Sequence, residues 1–555
     1  MDKRTILAFA LSFIVLVGWS LFFGPKQEQA PTGRDIPSAE APKESVESQK
    51  TPALSHPARL PGTKEIPVEA IPRPDEKEIE IDTPLYKAIF SNVGPTIRSF
   101  KLKKYRQTTD PDSPLVELVN FKKEMGDSLL FTFDNHSAGK KGETVFQVDR
   151  DFIKVGPESS PQGIVFRAET KDGLSTTQTF RFYPDRYQID LNVDVTNRSA
   201  EPVEGAFKAN LRVMPPHDKG GYYAYVGFAL LLNKELEEVE VEDPSDEQTV
   251  RGQMGWVAYE DNFFMSAIVP DVPSKGVFTG RHLSSGILEG TYLLPPVSIN
   301  PSELKSSQYE LYLGPRDLGI LKKFGRDLDQ AINFGWTDII AKPLLYLLRF
   351  FDEYVHNYGL SIILLTILVK GLFWPLTHKS YKSMKEMQKL QPRMAKLREK
   401  YKGDKQKLNQ EMMGLYKTYK VNPMGGCLPM VIQIPVFFAL FRVLGGCIEL
   451  RHAPFALWIN DLSAPDRLFN FPFQIPFMTP PYGIPVLTLL MGASMFLQQK
   501  MTPTPGDPMQ AKIMMFLPII FTFMFINFPS GLVLYWLVNN ILSIGQQYRI
   551  YKKPA

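Results

Sequence analysis

From Trp336 onward the chain carries one apolar segment after another, and ahead of it only the first residues do the same. Runs of that length in hydrocarbon must satisfy every backbone N–H and C=O within a helix, so the chain reads as a soluble module joined to a helical membrane module. The hydrophobic content of 44% is an average over both parts. A formal net charge of +4 is too small to mark a nucleic-acid binder, and what matters is where Lys and Arg gather.

The N-terminal stretch "MDKRTILAFALSFIVLVGWSLFFGPKQ" places Lys3 and Arg4 before an uncharged run from Ile6 to Phe23. No small-residue cleavage site follows, so residues 1–23 are expected to be an uncleaved anchor that starts in the cytoplasm. Residues 24–78 are rich in Pro, Glu, Lys, Ser and Ala without an aromatic residue. Such a segment cannot bury enough apolar surface to fold, and we expect a disordered tether on the far side of the membrane.

Residues 79–332 alternate in the manner of β-strands, as in "KEIEIDTPLYKAIF", "SLLFTFDN", "TTQTFRFYPDRYQIDLNVDVTN", "FKANLRV" and "SSQYELYLG". A large β-sandwich or two packed sheets is expected there, followed by the helical segment "PRDLGILKKFGRDLDQAI". Residues 333–357 mix Leu, Ile and Phe with Lys342, Arg349, Asp352 and Glu353, which suits an amphipathic helix lying along the membrane surface.

Five further apolar segments, at about 359–378, 424–446, 484–500, 512–528 and 532–549, make six spans with the anchor. They define a core over 358–550 with a short tail, 551–555. Between Lys379 and Lys420 there are 13 Lys and Arg against four acids, which puts this loop and both termini in the cytoplasm. The loop, 379–420, reads as two amphipathic helices broken at Gly403 and Asp404, with Met384, Met387, Met394 and Met412 on their apolar faces. Those methionines suit either self-packing or adaptable contact with apolar partners, and the basic face suits anionic lipid or ribosomal RNA.

Within "LSIILLTILVKGLFWPLTH", residues 360–378, Lys370 lies eight residues from the cytoplasmic end of the run, about 12 Å by helical rise. An ammonium there either snorkels toward the helix end or, at that depth, faces a polar or hydrated cavity. Thr366 lies one turn earlier on the same face, and Gln433, Tyr535 and Asn539 are further polar groups in spans. Each alone serves as interhelical glue; together they would line one polar surface. No catalytic set stands out: His378 and His452 are isolated, and His136, His217 and His282 have no spacing that suggests a sugar site. Cys427 and Cys447, twenty residues apart, are too distant along one helix to form a disulfide. No metal or cofactor is expected.

The order "LSIILLTILVKGLFWPLT", "LQPRM", "KVNPMGGCLPMVIQIPVFFAL", "ELRHAPFALWINDLSAPD", "DPMQAKIMMFLPIIFTFMF" and "FPSGLVLYWLVNN" closely resembles the YidC membrane protein insertases of Gram-negative bacteria. The resemblance implies a multi-domain inner-membrane protein, a six-span α-helical bundle with a periplasmic β-supersandwich domain. It implies a non-enzymatic insertase and chaperone for nascent membrane proteins, acting alone or with the Sec translocon and served by the ribosome and signal recognition particle pathway. It further implies a positively charged hydrophilic groove open to cytoplasm and lipid. By position, the family's intramembrane arginine falls on Lys370, its threonine on Thr366, its third-span glutamine on Gln433 and its last-span aromatic pair on Tyr535 and Trp536. Lysine at that site keeps the charge and loses the planar bidentate donor. A small-anion transporter and a structural scaffold for membrane complexes are the alternative readings.

Overall fold

The computed structural model describes residues 76–121, 128–135, 144–170, 172–215, 225–419, 421, 428–502 and 508–552. The expected anchor and nearly all of the tether lie outside the described residues, as do Cys427, His136 and His217.

Nineteen strands between Glu78 and Pro315 form one hydrogen-bonded sheet system, antiparallel except where Glu78–Asp82 runs parallel to Phe152–Lys154. The sequence periodicity explains the layers. Gln188–Asn197 alternates half-buried Gln, Asp, Asn and Thr with buried Ile, Leu and Val, and pairs with both Leu174–Phe182 and Leu304–Pro315. Phe264–Pro270 is buried throughout because it lies between Glu247–Glu260 and Leu304–Pro315 with both faces covered. Side chains from distant strands meet in the core, with the Phe131 and Tyr309 rings 5.0 Å apart and those of Phe90 and Phe180 5.1 Å apart.

Pro315 leads into helix α1, Leu318–Phe324, whose N-terminus is capped by Asp317 accepting from the Gly319 and Ile320 amides. Gly325, at φ 80°, ends it in a conformation that disfavours a side chain. The expected helical segment is therefore two pieces, α1 and a short turn at Leu328–Ala331. Helix α2, Asp338–Val355, follows, and its outer face exposes Ile339, Tyr346, Phe350 and Tyr354.

The helical module comprises α3 (Tyr358–Leu372), α4 (Trp374–Lys400), α5 (Lys405–Thr418), α6 (Leu428–Gly446), α7 (Val486–Met501), α8 (Pro508–Phe525) and α9 (Ser530–Lys552). Among the described residues no single helix is long and apolar enough to cross a membrane, while α3 and α4 pass together as a pair bent by 64°. This corrects the reading of 359–378 as one continuous span. Pro375 has no N–H to give the Gly371 carbonyl, so the helix turns at Phe373 and the amphipathic arm begins at Trp374 rather than Lys379. Lys370 consequently sits in the last turn of α3, beside the bend.

The sheet domain and the helices share a polar junction. Arg316 donates to the carbonyls of Asp261 (2.6 Å) and Ala331 (2.7 Å) and pairs with Glu260 at 3.2 Å. Arg349 on α2 bridges Asp317 (3.5 Å) and Glu449 (3.4 Å), and Arg451 donates to the Arg106 carbonyl at 2.7 Å. Asn262 reaches the Gly445 carbonyl at the end of α6, 3.2 Å away.

Candidate functional site

The buried face of α3 carries Ser361, Thr366 and Lys370 among its apolar residues. Asn357 starts the helix by accepting from the Leu360 amide at 3.0 Å. Lys370 at the other end places its cation near the carbonyl-rich terminus, the favourable end of the helix dipole.

Lys370 is 7% exposed. Its Nζ donates to Ser543 Oγ at 2.6 Å and to Asn539 Oδ1 at 3.2 Å, both on α9. Gln433 on α6 donates Nε2 to the same Asn539 oxygen at 3.3 Å, so three helices converge on one acceptor. Among the described residues no ion pair involving Lys370 is found, and its ammonium is held by the neutral oxygens of Ser543 and Asn539. A buried cation without a counter-charge is costly, and an acidic group brought beside it is attracted in proportion. A cavity of about 10 Å³, room for roughly one water molecule, is lined by Lys370, Thr377, Gln433 and Asn539 with Val369, Phe373 and Leu376.

The other expected groups are placed differently. Thr366 is buried on the Lys370 face, yet its hydroxyl donates to the Ile362 carbonyl of its own helix at 2.6 Å. The Tyr535 hydroxyl faces Gln433 without completing a well-formed hydrogen bond. Trp536 points away into an aromatic seam, with ring centroids 4.7 Å from Phe437 on α6 and 4.9 Å from Phe525 on α8. It joins α6, α8 and α9 and makes no contact with the ammonium among these ring pairs.

Sequence reasoning passed over Ser543, the closest partner of Lys370. The signal was present: polar residues continue from Asn539 and Asn540 to Ser543, Gln546 and Gln547 at helical spacing. All but Asn539 are buried. They form two stripes on α9. Gln546 exchanges hydrogen bonds with Thr377 on α4 at 2.9 and 3.1 Å, whereas Asn540 reaches Ser494 (3.0 Å) and Gln547 reaches Thr502 (3.3 Å) on the α7 side.

In the α4–α5 hairpin Met387 and Met394 are buried, Met384 and Met412 half-buried. The Tyr416 hydroxyl of α5 lies 3.9 Å from the Met394 sulfur, and Lys385 donates to the Ile550 carbonyl of α9 at 3.0 Å. Met394 thus packs within the hairpin, while Met384 and Met412 keep part of their surface exposed. Among the described residues no three His, Cys, Asp or Glu side chains are placed to hold a metal ion.

At the junction, a cavity of about 140 Å³ is lined by Glu238, Glu260, Arg316, Arg442 and Glu449 among other residues. Burial pushes Glu260 up to about 7, partly opposed by Arg316 and reinforced by Glu238 and Asp261. Burial likewise raises Glu449 to about 7, with Asp317 adding to the rise and Arg349 opposing it.

Two family models match the chain: a "YidC periplasmic domain" over residues 78–347 and a "60Kd inner membrane protein" over residues 350–555. A protein of Syntrophobacter fumaroxidans named membrane protein insertase YidC is 42% identical, covering 99% of both chains. A protein of Syntrophus aciditrophicus with the same name is 42% identical over the whole of both chains. A crystal structure of an active YidC insertase matches at 18% identity, covering 86% of this chain and 93% of that one, with a TM-score of 0.36, too low to say how the segments are arranged.

Proposed function

The chain belongs to the YidC family of membrane protein insertases, whose members are not enzymes, and we propose that it inserts and helps fold nascent membrane proteins by drawing their polar flanks to Lys370. The observation that carries the reading is the buried ammonium held only by the neutral Ser543 and Asn539. An acidic residue in a short segment of a client is the counter-charge that such a site lacks. Polar groups of Gln433, Asn539 and Thr377 supply water-like contacts along the way, and together they make one wall of a hydrated, positively charged groove. The client's apolar helix then leaves sideways along α6 and α8 into lipid, where it is stable.

The arrangement we propose has six spans, both termini in the cytoplasm and the β domain in the periplasm, with α2 lying in the membrane interface through its exposed Ile339, Tyr346, Phe350 and Tyr354. The 13 basic residues between Lys379 and Lys420 support the cytoplasmic side for the α4–α5 hairpin. That hairpin is our candidate contact for ribosome-delivered chains, the signal recognition particle pathway and anionic lipid, and the Sec translocon is the proposed partner within the bilayer.

Reconstitution of the purified protein in liposomes tests the reading. Insertion of a small single-span client without other factors supports it. Anion flux without insertion favours a transporter and sinks the insertase mechanism, and neither activity leaves a scaffold.

A further inference from the structure

The connection between α6 and α7 ends in a small hairpin, Leu468–Phe471 against Tyr482–Ile484, with Leu468 opposite Ile484 and Phe471 opposite Tyr482. One side of it is tied to helix ends. Arg467 donates to the Ile526 carbonyl at 2.8 Å and to Asn527 Oδ1 at 3.1 Å, and Asn527 donates back to the Phe477 carbonyl at 2.9 Å. Asp466 accepts from the Leu487 and Thr488 amides at the start of α7 and from the Trp458 indole. The two charged side chains at the base are therefore both engaged with the protein.

The other side is aromatic and bare. Phe469, Phe473 and Phe477 are 67%, 59% and 86% exposed. Phe469 and Phe477 hold φ of 61° and 64°, a left-handed conformation that bulky side chains avoid. Backbone cost is thus accepted at two of the three positions that turn a ring outward.

Two observations say what covers these rings. No Asp, Glu, Lys or Arg occurs between Arg467 and Lys500, so the hairpin and α7 form one uncharged surface, and α7 exposes Leu489, Leu490, Phe496 and Leu497 along it. The hairpin also sits at the starts of α7 and α9, where Ser530 donates to the Ala464 carbonyl at 2.8 Å, while the basic residues Lys500, Arg549 and Lys552 lie at the other ends of the same helices. Exposed apolar patches mark membrane or protein contacts, and one without charge that continues the apolar face of a helix in an inner-membrane family is suited to lipid.

We propose that the 468–484 hairpin is seated in the bilayer leaflet opposite the basic helix ends and inserts Phe469, Phe473 and Phe477 among the lipid chains. It would fix the depth of α7 and α8 from outside the helices themselves. This inference does not depend on the insertase mechanism.

The full chain is reconstituted in phosphatidylethanolamine and phosphatidylglycerol vesicles with an NBD fluorophore on Phe473→Cys or Phe477→Cys, native cysteines replaced by Ser or Ala, and Val272→Cys on the β domain as an exposed reference. Expected are a blue-shifted emission, quenching by doxyl-labelled lipid and resistance to iodide at 473 and 477, and the reverse at 272. Iodide quenching equal to that of the reference overturns the proposal. Shielding from both quenchers overturns it too, since it reports a protein cover such as a client or second copy. In the parent chain with both cysteines intact, benzoylphenylalanine at position 477 gives lipid adducts if the proposal holds and protein adducts if it does not.

Discussion

Lys370 on α3 and Ser543 on α9 lie 2.6 Å apart, a buried ammonium resting on a hydroxyl with no carboxylate in reach among the described residues. The hydroxyl is itself committed, donating to the Asn539 carbonyl at 2.7 Å, so its lone pair is free for the lysine.

Charge is the first property to try. Lys370→Arg should keep insertion of clients with acidic flanks, and Lys370→Ala should lower it by roughly tenfold, about 1.4 kcal/mol. Neutral-flanked clients should lose little from either. Insertion rates in proteoliposomes for matched acidic and neutral clients decide it, and equal activity of the alanine variant on acidic clients rejects the electrostatic role.

The acceptors come next. Ser543→Ala leaves the ammonium with Asn539 alone and should destabilise the helical module by about 1–3 kcal/mol, the usual cost of an unmade bond to a buried charge. In a Lys370→Met background the same change should cost much less. A double-mutant cycle of unfolding in detergent measures the coupling, and additive costs would mean the contact carries no energy.

Trp536 should behave as packing. Trp536→Ala opens the seam between Phe437 and Phe525 and is expected to cost roughly 3 kcal/mol, with insertion falling only as far as the folded population does. Trp536→Phe should recover most of the stability. Full activity loss in a stably folded Trp536→Ala protein would place the indole in client handling instead.

The junction makes a pH prediction. Glu260 and Glu449 have pKa values near 7 when folded against 4.5 unfolded, so the folded state holds protons that the unfolded state releases. Their contribution is present below about pH 4.5, falls as pH rises to about 7 and is level beyond, a loss of roughly 3 kcal/mol for each site. Glu260→Gln should therefore gain on the parent as pH rises from 5 to 8 in thermal unfolding of the full chain. A constant difference across that range would mean that Glu260 does not titrate on folding.

Much of this architecture was legible from pattern. The strand periodicity placed Gln188–Asn197 and Leu304–Pro315, because alternate burial leaves a period of two in the sequence. Lys370, Gln433 and Asn539 could be singled out because polar side chains are rare in apolar runs, and the structure brings those three together. The break at Phe373 was harder, since Trp374 and Pro375 are apolar and hydropathy reads straight across them. Ser543 was passed over because its signal is the polar stripe it shares with Asn539, Gln546 and Gln547, and a serine read one position at a time does not show it. Arg316 with Glu260, and Arg451 with Arg106, pair across long stretches of chain, and nothing local in either stretch announces the other.

The 64° turn at Phe373 also sets two functional elements against one helix. Helix α4 is 27 residues long, about 40 Å by helical rise, with Pro392 in its interior, and its near end abuts the turn that holds the buried cation. Its near half is latched to α9 through Thr377 and Lys385. Lys370 before the elbow and Thr377 and Lys385 after it thus share one support, so a substitution that shifts α9 is felt at the buried ammonium and at the root of the hairpin together.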